Sequence, residues 1–122
     1  INEITDGIHV LSNALLDTPW YKTNQLKSSF ENLLNKNPTT EQYFDILRNE
    51  SKAPDSQLPQ TGLSYEMEKA ISSICIRTSD YGTCCSTVLL VNKQNEVTFT
   101  ERLFPVGDRK ASTTTFKFNL EL

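Results

Sequence analysis

The chain has 122 residues, 37% of them hydrophobic and 22% charged, with a net charge of −3 and a pI near 5.1. That is enough for one domain around one core. An acidic balance without a basic stripe leaves nucleic acid no electrostatic footprint, and no apolar run approaches the roughly 20 residues of a transmembrane helix.

The text begins INEITDG, without Met, as a partial or processed chain would. Asp6-Gly7 marks a turn, and the apolar residues of GIHVLS predict a first strand over Gly7 to Ser12. In DTP, Asp17 or Thr18 can cap a helix with Pro19 at its first position, where the missing N–H costs nothing. Leu26, Phe30, Leu33 and Leu34 then fall on one face of an amphipathic helix that ends near Lys36. Thr39 followed by Gln42 is a capping-box pattern that opens a second helix, with Tyr43, Phe44 and Leu47 on its buried face and Pro54 as its stop. Residues Lys52 to Glu66 read as one long loop rich in Pro, Gly, Ser and Gln.

The second half changes character. Ser72 to Arg77, Ser86 to Asn92, Glu96 to Phe104 and Thr113 to Leu120 are rich in β-branched and aromatic residues and predict four strands, with a hairpin turn at Lys93 to Asn95. The architecture expected is α+β: a strand, two helices, then an antiparallel meander. STVLLV is apolar on both sides, with Leu89 and Val91 on the side that two helices would not cover. A sheet apolar on both faces needs cover on both, so either this sheet packs on itself or another sheet is missing from this chain.

Two long motifs, GIHVLSNALLDTPWYK and ICIRTSDYGTCCSTVLLVNKQNEVTFTERLF, occur in the order of the NRDE family, also called the transport-and-Golgi-organisation protein two family. The chain resembles the C-terminal half of that family from Gly7 to Phe104, with Phe116 to Leu120 similar to its last strand. The resemblance implies an N-terminal-nucleophile (Ntn) hydrolase-like αββα sandwich, of which residues 1–122 supply one mainly antiparallel sheet and two helices. The Met-Cys start and the Asn-Arg-Asp-Glu motif would lie in an N-terminal half absent from this chain. That half is the expected partner.

The resemblance also carries functional expectations. Family members are implicated in secretory-pathway and Golgi organisation, in lipid and acyl-CoA metabolism, and in haem mobilisation. The leading expectation is therefore a handler of a hydrophobic or amphipathic ligand, with haem as cargo rather than cofactor, in the cytoplasm with mitochondrial or Golgi association. The alternatives are a Cys-dependent Ntn amidohydrolase whose nucleophile lies in the other half, and a non-catalytic Ntn-fold scaffold.

Several residues are candidates for the site. Related acylases place an Asn after a strand in the oxyanion hole, so the resemblance implies that role for Asn13, with Ser12 beside it; an Asx turn is the structural alternative. Asp17 and Trp20 read either as pocket wall or as helix cap and aromatic anchor. In the loop DYGTCCST, Tyr81, Thr83 and Cys84 are ligand-binding candidates around a turn at Gly82. The family pattern expects Arg where this chain has Cys84, which puts an anion fork there in doubt.

Cysteine usage bounds the rest. Three residues, Cys75, Cys84 and Cys85, have no disulfide-framework spacing and point to a reducing compartment. Vicinal Cys84 and Cys85 without further Cys or His make a poor metal site. His9 is the sole histidine and Met67 the sole methionine, so axial haem ligands are scarce. Glu101 and Arg102 point to opposite faces of a strand, where cross-strand ion pairing is expected.

Overall fold

Thr39 sets the first fixed point of the fold. In the computed structural model, which describes residues 3–121, its hydroxyl accepts the Gln42 amide N–H while the Gln42 side chain accepts the Thr39 N–H at 2.9 Å. This reciprocal box opens α2, Thr40–Leu47. Phe44 of α2 is fully buried, and with Tyr43 and Val88 it forms the core, flanked by Phe30, Leu33, Leu47 and Leu90. Phe30 and Leu33 come from α1, Tyr21–Leu34, and the Phe30 and Tyr43 rings meet at 5.7 Å between centroids. Leu34, expected in the core, is 42% exposed at the end of the helix.

The sheet is a three-stranded antiparallel meander of β1 (Cys85–Val91), β2 (Glu96–Leu103) and β3 (Ser112–Asn119) in that order. The β1–β2 hairpin turns through Asn92 to Asn95, where Asn92 Oδ1 accepts the amides of Gln94 and Glu96 and Asn95 takes a φ of 61°. Asn is among the few side chains that tolerate this left-handed geometry. Val88 and Leu90 face α2. On the same covered face Arg102 runs from β2 to Glu41 of α2. The expected cross-strand pairing of Glu101 and Arg102 is corrected: Arg102 makes a helix-to-sheet ion pair, and Glu101 stands opposite Thr87 and Thr114.

The opposite face is apolar and bare. Register places Leu89, Phe99 and Phe116 in one row across it and Val91, Val97 and Phe118 in the next. Val97 is buried by its neighbours, but Leu89, Val91, Phe116 and Phe118 are each at least half exposed, and no helix or loop among the described residues covers them. All of β3 is solvent-exposed.

Two expected strands are absent as ladders. Gly7 to Ser12 runs without a strand partner because Asp17 takes the backbone of Val10: its N–H donates to the Val10 carbonyl at 2.8 Å, and its Oδ1 accepts the Val10 N–H at 2.9 Å. This closes a loop over residues 10–17, with Asp17 at φ 57°. Ser72 to Arg77 is likewise irregular, with one bridge from Arg77 to Gly82. There Thr83 satisfies Ile76 from both ends: its N–H donates to the Ile76 carbonyl at 2.9 Å, and its hydroxyl accepts the Ile76 N–H at 2.9 Å.

The start of α1 also differs. Its N-cap is Trp20 rather than Asp17 or Thr18, and no side chain caps it. Asp17 is engaged by Val10 and His9, and the Thr18 hydroxyl donates to the Leu15 carbonyl at 2.8 Å. The segment expected as loop contains a 3-10 turn at Asp55–Gln57 and leads directly into a short helix α3, Tyr65–Ala70, capped by Ser64. Lys69 of α3 pins the loop by donating to Asp55 and to the Ala53 carbonyl at 2.8 Å.

Candidate functional site

A cavity of about 510 Å³ opens where the residue 10–17 loop, the start of α1, α3 and the DYGTCC loop converge. From the first two come Asn13, Trp20, Tyr21 and Lys22; the loop after α2 gives Ala53, Pro59, Thr61 and Leu63. Met67 and Glu68 enter from α3, Ile71 and Ser72 follow it, and Ile76 and Tyr81 complete the wall. The lining is mainly apolar with a few polar groups, the usual make-up of a small-molecule site.

The polar groups are distinct in character. Lys22 Nζ donates to the Ile71 carbonyl at 3.3 Å and lies 5.6 Å from the Trp20 ring centroid. Partial burial pushes its pKa below the ordinary lysine value. Glu68 is buried against Thr61, whose hydroxyl and amide hold its carboxyl below the usual carboxylate range. Asn13 stands exposed at the rim, its Oδ1 accepting from the Ser12 hydroxyl at 3.4 Å. No hydrogen bond among the described residues uses its side-chain N–H₂ group.

Asn13, Trp20 and Tyr81, far apart in sequence, are thus brought to one cavity. The other four sequence candidates lie outside its lining. Ser12 donates its hydroxyl to Asn13 Oδ1. Asp17 accepts from His9 at 2.6 Å and organises the loop behind. Thr83 braces Ile76. Cys84 is exposed, and its carbonyl accepts from Phe104 N–H and from Arg109. Lys22, Met67 and Glu68 belong to the cavity without having been singled out as binding residues. The sequence signal for the last two is Ser64 followed by YEMEKA, a cap with acidic residues in a first helical turn.

Among the described residues no group of three or more His, Cys, Asp or Glu could hold a metal ion. No described helix is long and apolar enough to cross a membrane. A second hollow of about 270 Å³ lies between Ile8 to Val10 and the outer edge of β1.

Residues 1–105 match the family described as Transport and Golgi organisation 2. The chain belongs to this family. It is 34% identical over 128 residues to the Transport and Golgi organization 2 homolog of Mus musculus, covering 97% of this chain and 46% of that protein. The Transport and Golgi organization protein 2 homologs of Bos taurus and Homo sapiens match at 35% and 34% identity with the same coverage. The chain therefore spans about half the length of these Transport and Golgi organisation 2 relatives.

Proposed function

We propose that this chain is the C-terminal half of one Ntn-hydrolase-like αββα domain, and that the domain handles a hydrophobic or amphipathic ligand of the haem or acyl-CoA kind. One observation carries the ligand reading: the cavity joins Asn13, Trp20 and Tyr81 with apolar walls from α3 in a volume suited to a small amphipath. The bare row of Leu89, Phe99 and Phe116 supports the half-domain reading, since an exposed apolar sheet face of this extent expects a covering layer. The N-terminal half supplies that layer. Cytoplasmic residence with Golgi or mitochondrial association belongs to the same proposal.

Titration of the protein joined to its N-terminal half with haem, and in parallel with palmitoyl-CoA, tests the ligand class. The Met67→Trp variant narrows the cavity from α3 and is expected to abolish saturable binding of whichever ligand binds. Binding unchanged in Met67→Trp would place the ligand elsewhere.

The amidohydrolase reading is second, favoured by the uncommitted amide of Asn13 at the rim. An amide donor aimed at an oxyanion can lower a barrier by about 3 kcal/mol. A free N-terminal Cys in the other half, and amide cleavage lost in Asn13→Ala, would favour it over pure binding.

A further inference from the structure

β1 ends the sheet on one side, and its outer edge is open. The ladder tells which of its amides point outward. Cys84 pairs with Phe104, and Asn92 with Glu96, through backbone bonds of 2.9 and 3.1 Å. Hydrogen-bonded pairs alternate along an antiparallel ladder, so Ser86, Val88 and Leu90 turn their N–H and C=O towards β2. Cys85, Thr87, Leu89 and Val91 turn theirs away from it. No backbone hydrogen bond among the described residues reaches those outward groups.

Open edges are usually guarded by a charge or a proline. β3, at the opposite edge, carries Lys117. β1 reads Cys-Ser-Thr-Val-Leu-Leu-Val, with neither guard. Its composition is that of an interior strand.

Space for a neighbour is already roofed. The hollow of about 270 Å³ beside β1 is lined by Thr87 to Leu90 on one side and by Ile8 to Val10 on the other. Leu26 and Phe30 of α1, with Ile46 and Leu47 of α2, close it from the helix layer and are only half-buried. α2 packs on β1, whereas α1 packs chiefly on α2, so part of the α1 apolar stripe overhangs the rim of the sheet. The two chargeable side chains of the wall, His9 and Lys27, are both held by Asp17. The far lip is unclaimed too: Ile8, His9 and Leu11 make no backbone hydrogen bond among the described residues.

We propose that a strand of the N-terminal half inserts into this gap and pairs with the outer edge of β1. The proposal rests on the half-domain reading, and it adds that the other half completes this sheet as well as covering its bare face. The occupant's chemistry follows from the gap. Its backbone meets the outward N–H and C=O groups of Thr87 and Leu89. Its side chains on one face lie under Leu26 and Phe30, and on the other they extend the row of Leu89, Phe99 and Phe116. Both faces are therefore apolar, which calls for an uncharged run of about four to six residues. This chain spans 46% of its Mus musculus relative, so such relatives carry chain enough to furnish the strand. A second copy fits less well, because β1 paired with β1 would carry a whole sheet onward into the lip at Ile8 to Val10.

Residue-resolved NMR of the protein joined to its N-terminal half tests this without any substitution. The Thr87 and Leu89 amides are expected to exchange with solvent about a hundredfold or more slower than unstructured amides, and to show NOEs to a residue of the N-terminal half. Unprotected Thr87 and Leu89 amides overturn the proposal. So do protected amides whose NOEs run to Ile8 to Leu11, or between copies in a sample of mixed isotope labelling. NOEs from the N-terminal half to Phe116 and Phe118, with none to the outward amides of β1, refute the strand and leave the half-domain reading standing. Absence of both sets overturns that reading as well.

Discussion

The guanidinium of Arg102 lies 4.2 Å from the ring centroid of Phe44, so the sheet's one covered face is closed by a cation stacked on the most buried aromatic. The same guanidinium meets both Glu41 oxygens, at 3.0 and 2.5 Å, and its Nε donates to the Thr113 hydroxyl at 3.0 Å. Arg102 therefore ties α2, β2 and β3 together. Arg102→Met is expected to cost about 1–2 kcal/mol through the lost stacking. Phe44→Ala, which opens a cavity at the centre, should cost about 3–5 kcal/mol. Urea denaturation of both variants checks the ranking.

His9 gives a pH signature. Its Nδ1 faces the Asp17 carboxylate at 2.6 Å and its Nε2 faces the Thr5 carbonyl at 2.8 Å. Two acceptors demand two ring protons, so the imidazolium is favoured and the pKa rises above 6.5, mainly through the Asp17 bond. Asp17 is lowered from 3.8 for the same reason. A raised histidine stabilises fully below 6.5 and stops as pH climbs through its folded value; a lowered carboxylate stabilises above 3.8 and stops as pH falls through its own. The residue 10–17 loop is therefore held best between those limits. An NMR titration of the His9 ring should show a midpoint above 6.5 that Asp17→Asn moves down.

The bare sheet face makes a separate prediction. Phe116 is 58% exposed, so Phe116→Lys should change the stability of this unit by no more than about 0.5 kcal/mol. It should nevertheless weaken whatever the face adheres to. In sedimentation of the isolated chain, wild type is expected to self-associate at concentrations where Phe116→Lys stays monomeric. Identical behaviour of the two would show the face to be inert.

Gly82 couples the turn to the cavity. A Cβ there would sit 2.9 Å from the Ile76 carbonyl oxygen, and backbone cannot yield as a flexible side chain does. Gly82→Ala is expected to cost about 1–3 kcal/mol by overpacking. It should also displace the adjacent Tyr81 from the cavity wall, which weakened ligand affinity at temperatures well below unfolding would report.

What the sequence made legible was local. The Thr39 and Gln42 box, the alternation along β2 and β3, and the unsatisfied second face of β1 follow from patterns a few residues long. What it obscured depended on distant partners. Ile8 to Leu11 and Ile74 to Ile76 have strand composition, but a strand exists only with a ladder neighbour. Asp17 and Thr83 occupy Val10 and Ile76 instead. Asp17 could serve either the helix or the chain before it, and only the fold shows that it serves His9 and Val10. Asn13, Trp20 and Tyr81 were each visible alone, whereas Glu68 was hidden at the end of a segment whose Pro and Gly content masks a short helix.

The knot that Asp17 ties to Val10 has an evolutionary reading. Residues 11–16 bulge outward between the two fastened positions, and not one of them is buried. Substitutions there are nearly free of folding cost, yet they surround Asn13 at the mouth of the cavity. Such a span leaves the mouth free to change in sequence while the supporting architecture stays constant.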